Sequence, residues 1–516
     1  MYIDTAKSKR GDKEYTRYLL RDSYREDGKV KHRTIANLGE CSAAEIAAMK
    51  LALKHKGNLA VLGNIDAIQL KQGKRFGAIW VLNQVAERLG LPQVLGSSRK
   101  GKLALWQIMA RIIGQGSRLS ALRLSESHAV EEVLGLEDLN KDEIYRCLDW
   151  LAENQESLEK MLWQQRNGGT AAPQLFLYDV TSSYLEGEEN ELAAYGYNRD
   201  GKKSKKQIVI GLLTDASGKP VAVRVFEGNT VDTKTVAEQI RILANGFGVK
   251  EVTLVGDRGM LKTPQLDALP EGFSFITAIT KPMMLSMLAK EVIQPSLFDG
   301  QLHEVLHEGL RYIVRCNPIR QKEVEASRES KFASATKKAA VWAQYLNEHP
   351  KAKIATAHKA VEEKISQLRI QAWATLKIDE GKRTITVEKD TDRLATESQL
   401  DGVYVIKTDV KAEVASQQII HDRYKDLSKV EFAFRTMKTG YLEVRPIFVR
   451  KDPRTRGHVF VVMLAYLLIQ ELESYWKDLG LTTKEGIDEL ASIAYTTVTV
   501  NEVISCQRPQ YELSAS

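Results

Sequence analysis

QLFLYDV (174–180), IVIGLLTD (208–215), VAVRVFEGN (221–229), DTKTVAEQIRILANGF (232–247) and VTLVGD (252–257) follow one another in the middle of the chain. Four of these segments are short apolar runs rich in β-branched residues, which predicts strands. The remaining one, 232–247, spaces Val236, Ile240 and Leu243 onto one face and predicts a helix covering the sheet they form. Ser217–Gly218 is a turn that makes the second and third strands a hairpin. The order is strand, strand, strand, helix, strand, so a helical crossover can bring the fourth strand parallel to and beside the first. The first strand is expected to stop near Asp179 and the fourth ends at Asp257. Two aspartates then stand on neighbouring strands, within reach of a common ion.

A third acid comes from YKDLSKVEFAFRTMK (424–438). In a continuous helix Tyr424, Ser428, Glu431, Arg435 and Lys438 fall on one face. A lone carboxylate among cations suits a group that holds a metal ion beside a phosphate. Read alone, the same face is that of an ordinary amphipathic helix with a salt bridge. The two upstream aspartates decide between these readings.

Outward from this block, residues 1–42 read as a β-hairpin unit turning at Asp27–Gly28, and 43–170 as a helical, DNA-binding region. Within the latter, LALWQIMARIIGQGSRLSALRL has the length of a helix-turn-helix, and Asn140 opens a further helix through a capping box with Glu143. Gly168, Gly169 and Pro173 mark a boundary. The catalytic domain is expected at 171–285, an insertion domain of mixed strand and helix at 286–400, and the second part of the catalytic domain, with C-terminal helices, at 401–516. Overall the fold class is α/β.

Composition sets bounds on partners and compartment. A net charge of +7 over 516 residues is modest, but basic clusters recur at Arg99–Lys102, Arg199–Lys206 and Arg450–Arg456, as contact with a phosphate backbone requires. Within the second cluster Lys202, Lys203, Lys205 and Lys206 are candidate DNA contacts. The four cysteines are widely separated, which argues against a zinc ribbon or a disulfide framework. The N-terminal MYIDTAKSKR has no apolar run, and VFVVMLAYLLI (459–469) is too short to span a bilayer. A cytoplasmic protein with no membrane partner is expected.

Asp179, Asp257 and Glu431 form an oxygen-only donor set, which favours Mg2+ or Mn2+ over zinc. Two such ions can activate an attacking hydroxyl and stabilise the leaving oxygen of a phosphodiester, with Asp179 bridging them. Tyr424, Arg435 and Lys438 would hold the phosphate. At this point the chain resembles the bacterial insertion-sequence transposases of the DDE type, whose signature runs Y, two residues, R, three residues, E, six residues, K. Tyr424, Glu431 and Lys438 match its spacing; YDVTSSY, VGDRGM, LDGVYVIKTD and the N-terminal DSYREDGKVKHRTIANLG are also similar to that family. The resemblance implies a ribonuclease-H-like catalytic domain interrupted by an insertion before the glutamate, preceded by a mostly helical region. It further implies binding of terminal inverted repeats, cleavage of the element's ends, joining of 3′ hydroxyls to target DNA, a homodimer on double-stranded DNA and association with the bacterial nucleoid. The signature arginine falls on Leu427, so its contact would be missing or supplied by Arg423 or Lys429.

Two rivals bear weighing. HEVLH (303–307) matches the HExxH pattern of zinc metalloproteases, but it alternates like a strand, where the two histidines share a face about 13 Å apart. A non-catalytic DNA-binding regulator with a retained nuclease fold is the other, and the intact carboxylate triad argues against it. Glu227 and Asp232 read as turn and capping residues, and His458 as a packed or capping histidine.

Overall fold

The computed structural model describes residues 1–10, 13–57, 68–168, 174–202, 204–247, 251–258, 260, 265–266, 269–445, 447–500 and 503–507. The chain divides into two compact units, the first made of Met1–Ala78, Ser127–Ala129 and Glu489–Ser516, the second of Ile79–Glu126 and Val130–Asp488.

In the first unit, strands Tyr2–Arg10, Lys13–Glu26 and Lys29–Asn37 form an antiparallel sheet. The turn between the last two has positive φ at Asp27 (49°) and Gly28 (77°), the geometry Asp-Gly favours in a tight hairpin. The expected hairpin is thus present and gains a third strand. Helix Ala43–Lys54 follows, capped reciprocally by Ser42 and Glu45. Strand Ile68–Arg75 then pairs with Ala494–Val500, which pairs with Val503–Gln507. The region from 43 onward is therefore not wholly helical, and the end of the chain returns to this unit.

The second unit is mixed α/β. Its early helices include α1 (Arg99–Gly114) and α2 (Lys141–Asn167), the latter opened by Asn140, whose side chain accepts from Glu143 N. Helix α1 is buried along most of its length, from Leu103 to Ile112. It is a core helix, its sequence too apolar to leave in solvent; the second segment of the expected helix-turn-helix is the helix Arg118–Ser127, with Arg123 and Glu126 exposed.

The main sheet consists of β1 (Gln174–Tyr184), β2 (Gln207–Asp215), β3 (Pro220–Glu227), β4 (Val252–Gly256), β5 (Phe273–Ala278), β6 (His303–His307), β7 (Leu310–Cys316) and β8 (Val403–Thr408), in spatial order β6-β7-β8-β5-β4-β1-β2-β3. Strands β1, β4 and β5 are parallel and the other pairs antiparallel. Helix α3 (Asp232–Gly246) makes the crossover from β3 to β4. Val236, Ile240 and Leu243 pack onto Phe176, Tyr178 and Val180, with Trp163 of α2 against Phe176 at 5.2 Å between ring centroids. Gly211 is needed beneath Tyr178, because a Cβ there would lie 2.4 Å from the Tyr178 hydroxyl.

Two differences from expectation bear on the site. Strand β1 does not stop at Asp179; it continues to Tyr184, held by β2, whereas its parallel pairing with β4 ends at Tyr178–Gly256. The hairpin His303–Cys316, expected in the insertion, extends the main sheet through β7 and β8. Among the described residues expected in the insertion, the stretch between β7 and β8 builds a core of its own. There α4 (Pro318–Glu348), α5 (Ile354–Leu368) and the hairpin Ala374–Asp379/Thr384–Lys389 gather Ala339, Leu346, Val361, Ile365, Trp373 and Ile385.

Beyond β8 come α6 (Gln417–Lys425), α7 (Leu427–Arg435), a π turn at Thr436–Gly440 and α8 (Asp452–Trp476). Helix α8 starts inside the basic stretch read as a loop, with Pro453 in its first turn. It is the one helix among the described residues long and apolar enough to cross a membrane, and two thirds of its most apolar stretch is buried against the protein. It packs on α1, α2 and β3, approaching α2 so closely that a Cβ on Gly457 would lie 2.2 Å from the Leu148 carbonyl oxygen.

Candidate active site

Asp179 is the first residue of β1 beyond its pairing with β4, and Asp257 the first residue after β4. The sheet therefore sets them side by side. Each carboxylate accepts from the next backbone amide, Asp179 Oδ1 from Val180 N and Asp257 Oδ1 from Arg258 N, both at 2.7 Å. Helix α7, packed on β1, brings Glu431 to the same place. All three acids line one cavity of about 300 Å3 together with Tyr424, Lys425, Leu427, Ser428, Asn317 and Tyr404.

The electrostatics of the cavity are those of crowded negative charge. Burial, with Asp257 and Glu431 nearby, pushes the Asp179 carboxyl up to about 7. The Tyr424 hydroxyl donates to Asp257 Oδ1 at 3.4 Å, and burial beside that carboxylate raises its pKa, so it stays a donor. Among the described residues no group of three His, Cys, Asp or Glu is drawn tight enough to hold an ion as it stands.

Lys438 lies just outside the cavity. Its ammonium reaches Thr181 Oγ1 (2.9 Å) and Asp200 Oδ1 (2.5 Å), and Arg445 also pairs with Asp200. Thr181 is two residues beyond Asp179 on the same face of β1, so the ammonium sits about 7 Å along the strand from the carboxylates.

Comparison with known proteins gives this geometry a family. Residues 170–468, more than half of the chain, match the transposase DDE domain, and residues 3–61 match the IS1634 family transposase N-terminal domain. The chain belongs to the DDE transposases. No curated protein matches it.

In this transposase the remaining residues singled out from sequence are distributed unevenly. Arg435 is exposed and does not line the cavity. Lys438 lies in the π turn, closed by Tyr441 N to Thr436 O at 3.2 Å, and its side chain reaches β1 at Thr181, as Glu431 does at Asp179. Lys205 pairs with Glu186 (2.9 Å), Lys206 donates to the neutral Glu188 carbonyl (3.2 Å), and Lys202 is exposed. Lys203 lies outside the described residues. Leu427 is buried in the cavity wall, and neither suggested substitute replaces an arginine there: Lys429 ties to Ala216 O and Asp426, and Arg423 does not line the cavity. The cation that does line it is Lys425.

The transposase also contains residues that sequence reasoning passed over. The Asp200 side chain is 2% exposed and holds two cations and the Tyr184 amide, yet in NRDG it reads as a turn residue. Asp232, taken for a cap, makes a two-point pair with Arg199 at 2.7 Å, while Val231 occupies the cap position. HEVLH forms the edge strand β6, and His303 is bound to Asp299, so the geometry of a zinc protease is not there. His458 is buried and donates to the Val444 carbonyl.

Proposed function

We propose that this transposase has a ribonuclease-H-like catalytic domain with an insertion at 318–398, binds the terminal inverted repeats of its own insertion sequence, cleaves the ends and joins the 3′ hydroxyls to target DNA. The observation that carries the reading is the convergence of Asp179, Asp257 and Glu431, from two adjacent parallel strands and a later helix, on one cavity. Their oxygen-only donors, and the burial that, with two neighbouring carboxylates, pushes the Asp179 carboxyl up to about 7, fit a site built to be neutralised by a hard divalent cation. When bound, two Mg2+ or Mn2+ ions supply Lewis acidity at the phosphate and at the attacking and leaving oxygens.

The chain's own groups do the rest. Asp179 must give up its proton to become a ligand, which sets a lower pH limit on activity. Tyr424 and Lys425 stand on the helix side of the cavity to orient a phosphate oxygen, and Lys438, fixed by Asp200, supplies positive charge on the strand side. Hydrolysis and strand transfer are both in-line displacements at phosphorus, so one cavity serves both. Synapsis of two ends calls for a homodimer on DNA.

The test is nicking of a terminal-repeat duplex in Mg2+ by the purified chain. Asp179→Ala, Asp257→Ala and Glu431→Ala should each abolish nicking while retaining duplex binding in a gel shift. Wild-type nicking by any of the three overturns the assignment.

A further inference from the structure

A second cavity in the same unit, about 730 Å3, lies between the turn after α1 and the stretch Glu443–His458. Its volume is in the range of clefts that enclose small ligands. Seven cationic side chains line it against two carboxylates, Asp142 and Glu443. Arg445, Arg450 and Arg454 already pair with Asp200, Glu189 and Asp149. Arg111 and Arg118 are different. Each is 4% exposed, neither forms an ion pair among the described residues, and the Nε of each is buried without a hydrogen-bond partner. Arg111 donates only to the Gln115 and Leu442 carbonyls, and Arg118 only to Gln107 Oε1. Glu443 acts on Arg111 only at a distance, and two neighbouring buried guanidiniums without a paired anion are costly to a fold unless something else completes them. The backbone also holds unfavourable geometry here, since Gln115 and Glu443, both lining the cavity, have positive φ of 43° and 45°.

We propose that this cavity is a phosphate site for an unpaired stretch of DNA strand, with Arg111 and Arg118 receiving the phosphate and Phe448 stacking on a base. The concave shape and depth of the arginines suit a single strand better than the convex face of an intact duplex. Phe448 lines the cavity yet is 67% exposed, as a stacking platform must be. Arg445 belongs both to this cavity and to the Asp200 cluster that holds Lys438, so a strand seated here is one ion pair away from the proposed catalytic groups. The inference rests on DNA being the partner, as the proposed function holds.

The full-length protein is titrated into a fluorescent ten-nucleotide oligothymidylate, a duplex of the same length and inorganic phosphate. Wild type should bind the single strand, and Arg118→Met and Phe448→Ala should each weaken that binding about tenfold or more. Ligand-free Arg118→Met should melt no lower than wild type, because it removes an uncompensated charge, whereas a purely structural arginine would lower the melting temperature and overturn the site. If Arg118→Met does not fold, Lys451→Gln and Phe448→Ala carry the test. Unchanged single-strand affinity in these variants overturns the proposal, as does protection by inorganic phosphate alone, which would mark an adventitious ion only. Asp179→Ala must bind the single strand like wild type; loss of affinity would place the strand in the carboxylate cavity instead. Nicking is measured separately, so failure of the catalytic reading leaves this result legible.

Discussion

Asp179→Asn isolates the electrostatic strain of the carboxylate cavity. In the metal-free protein the Asp179 carboxyl titrates at about 7 rather than at its ordinary 3.8. Between these values the folded chain keeps a proton that the unfolded chain has released, so stability falls as pH rises. The contribution is fully present below pH 3.8 and fully lost above about pH 7. Each pH unit in that window is worth about 1.4 kcal/mol, which makes the whole effect about 4 kcal/mol at most. The asparagine keeps the shape and cannot ionise. Metal-free Asp179→Asn should therefore unfold at higher denaturant concentration than wild type at pH 8, and the difference should shrink toward zero near pH 4.

Divalent ions should act in the opposite sense. Mg2+ binding only the folded state stabilises it by mass action, and the gain grows with pH as Asp179 becomes available. Wild type should gain stability from 10 mM MgCl2 at pH 8 and little at pH 5, and Asp179→Asn should gain little at either. Urea unfolding followed by fluorescence at both pH values, with and without the ion, reads all four quantities. A variant less stable than wild type at pH 8 without metal would refute the reasoning, because it would mean the Asp179 carboxylate is stabilised in place. So would equal Mg2+ stabilisation of the two proteins.

Glu159→Ala should be among the most destabilising single changes in the second unit. Its 1% exposed carboxylate holds Arg224 through two bonds of 2.8 and 2.9 Å and also accepts from Val223 N and Gln155, so truncation strands a buried guanidinium at a cost of about 3–5 kcal/mol, read as a drop in urea midpoint. Asp200→Asn removes the charge that fixes Lys438 and Arg445; nicking should fall about tenfold or more while duplex binding by gel shift holds, and unchanged nicking would show that Lys438 needs no anchor.

The order β1-β2-β3-α3-β4 was legible because apolar runs, a Ser-Gly turn and an amphipathic helix each point to one local structure, and local structure here agrees with the sheet. Asp179 and Asp257 could be placed side by side for the same reason, since each follows the end of the pairing between β1 and β4, whereas Glu431 lies on a later helix. What could not be read depends on partners far away in sequence. Asp200 looks like turn chemistry until Lys438 and Arg445 arrive from more than two hundred residues downstream. The hairpin His303–Cys316 has the alternation of any half-buried edge, and only its pairing with β8 shows which sheet it joins. The π turn leaves no mark in the spacing of apolar residues, and the partners of Lys438, Thr181 and Asp200, lie far upstream.

Arg111 and Arg118 show the same limit from the opposite side. On a helical pattern an arginine reads as a solvated residue, and the physics that makes these two informative is that both are buried and no carboxylate among the described residues pairs with them. Asp200 solves the corresponding problem for Lys438 and Arg445 with a carboxylate of the chain itself. The two clusters share Arg445, and they differ in which anion completes them. One is finished by the protein; the other is left for a phosphate to finish, so DNA that enters the second cavity would complete a charge network that already reaches Lys438.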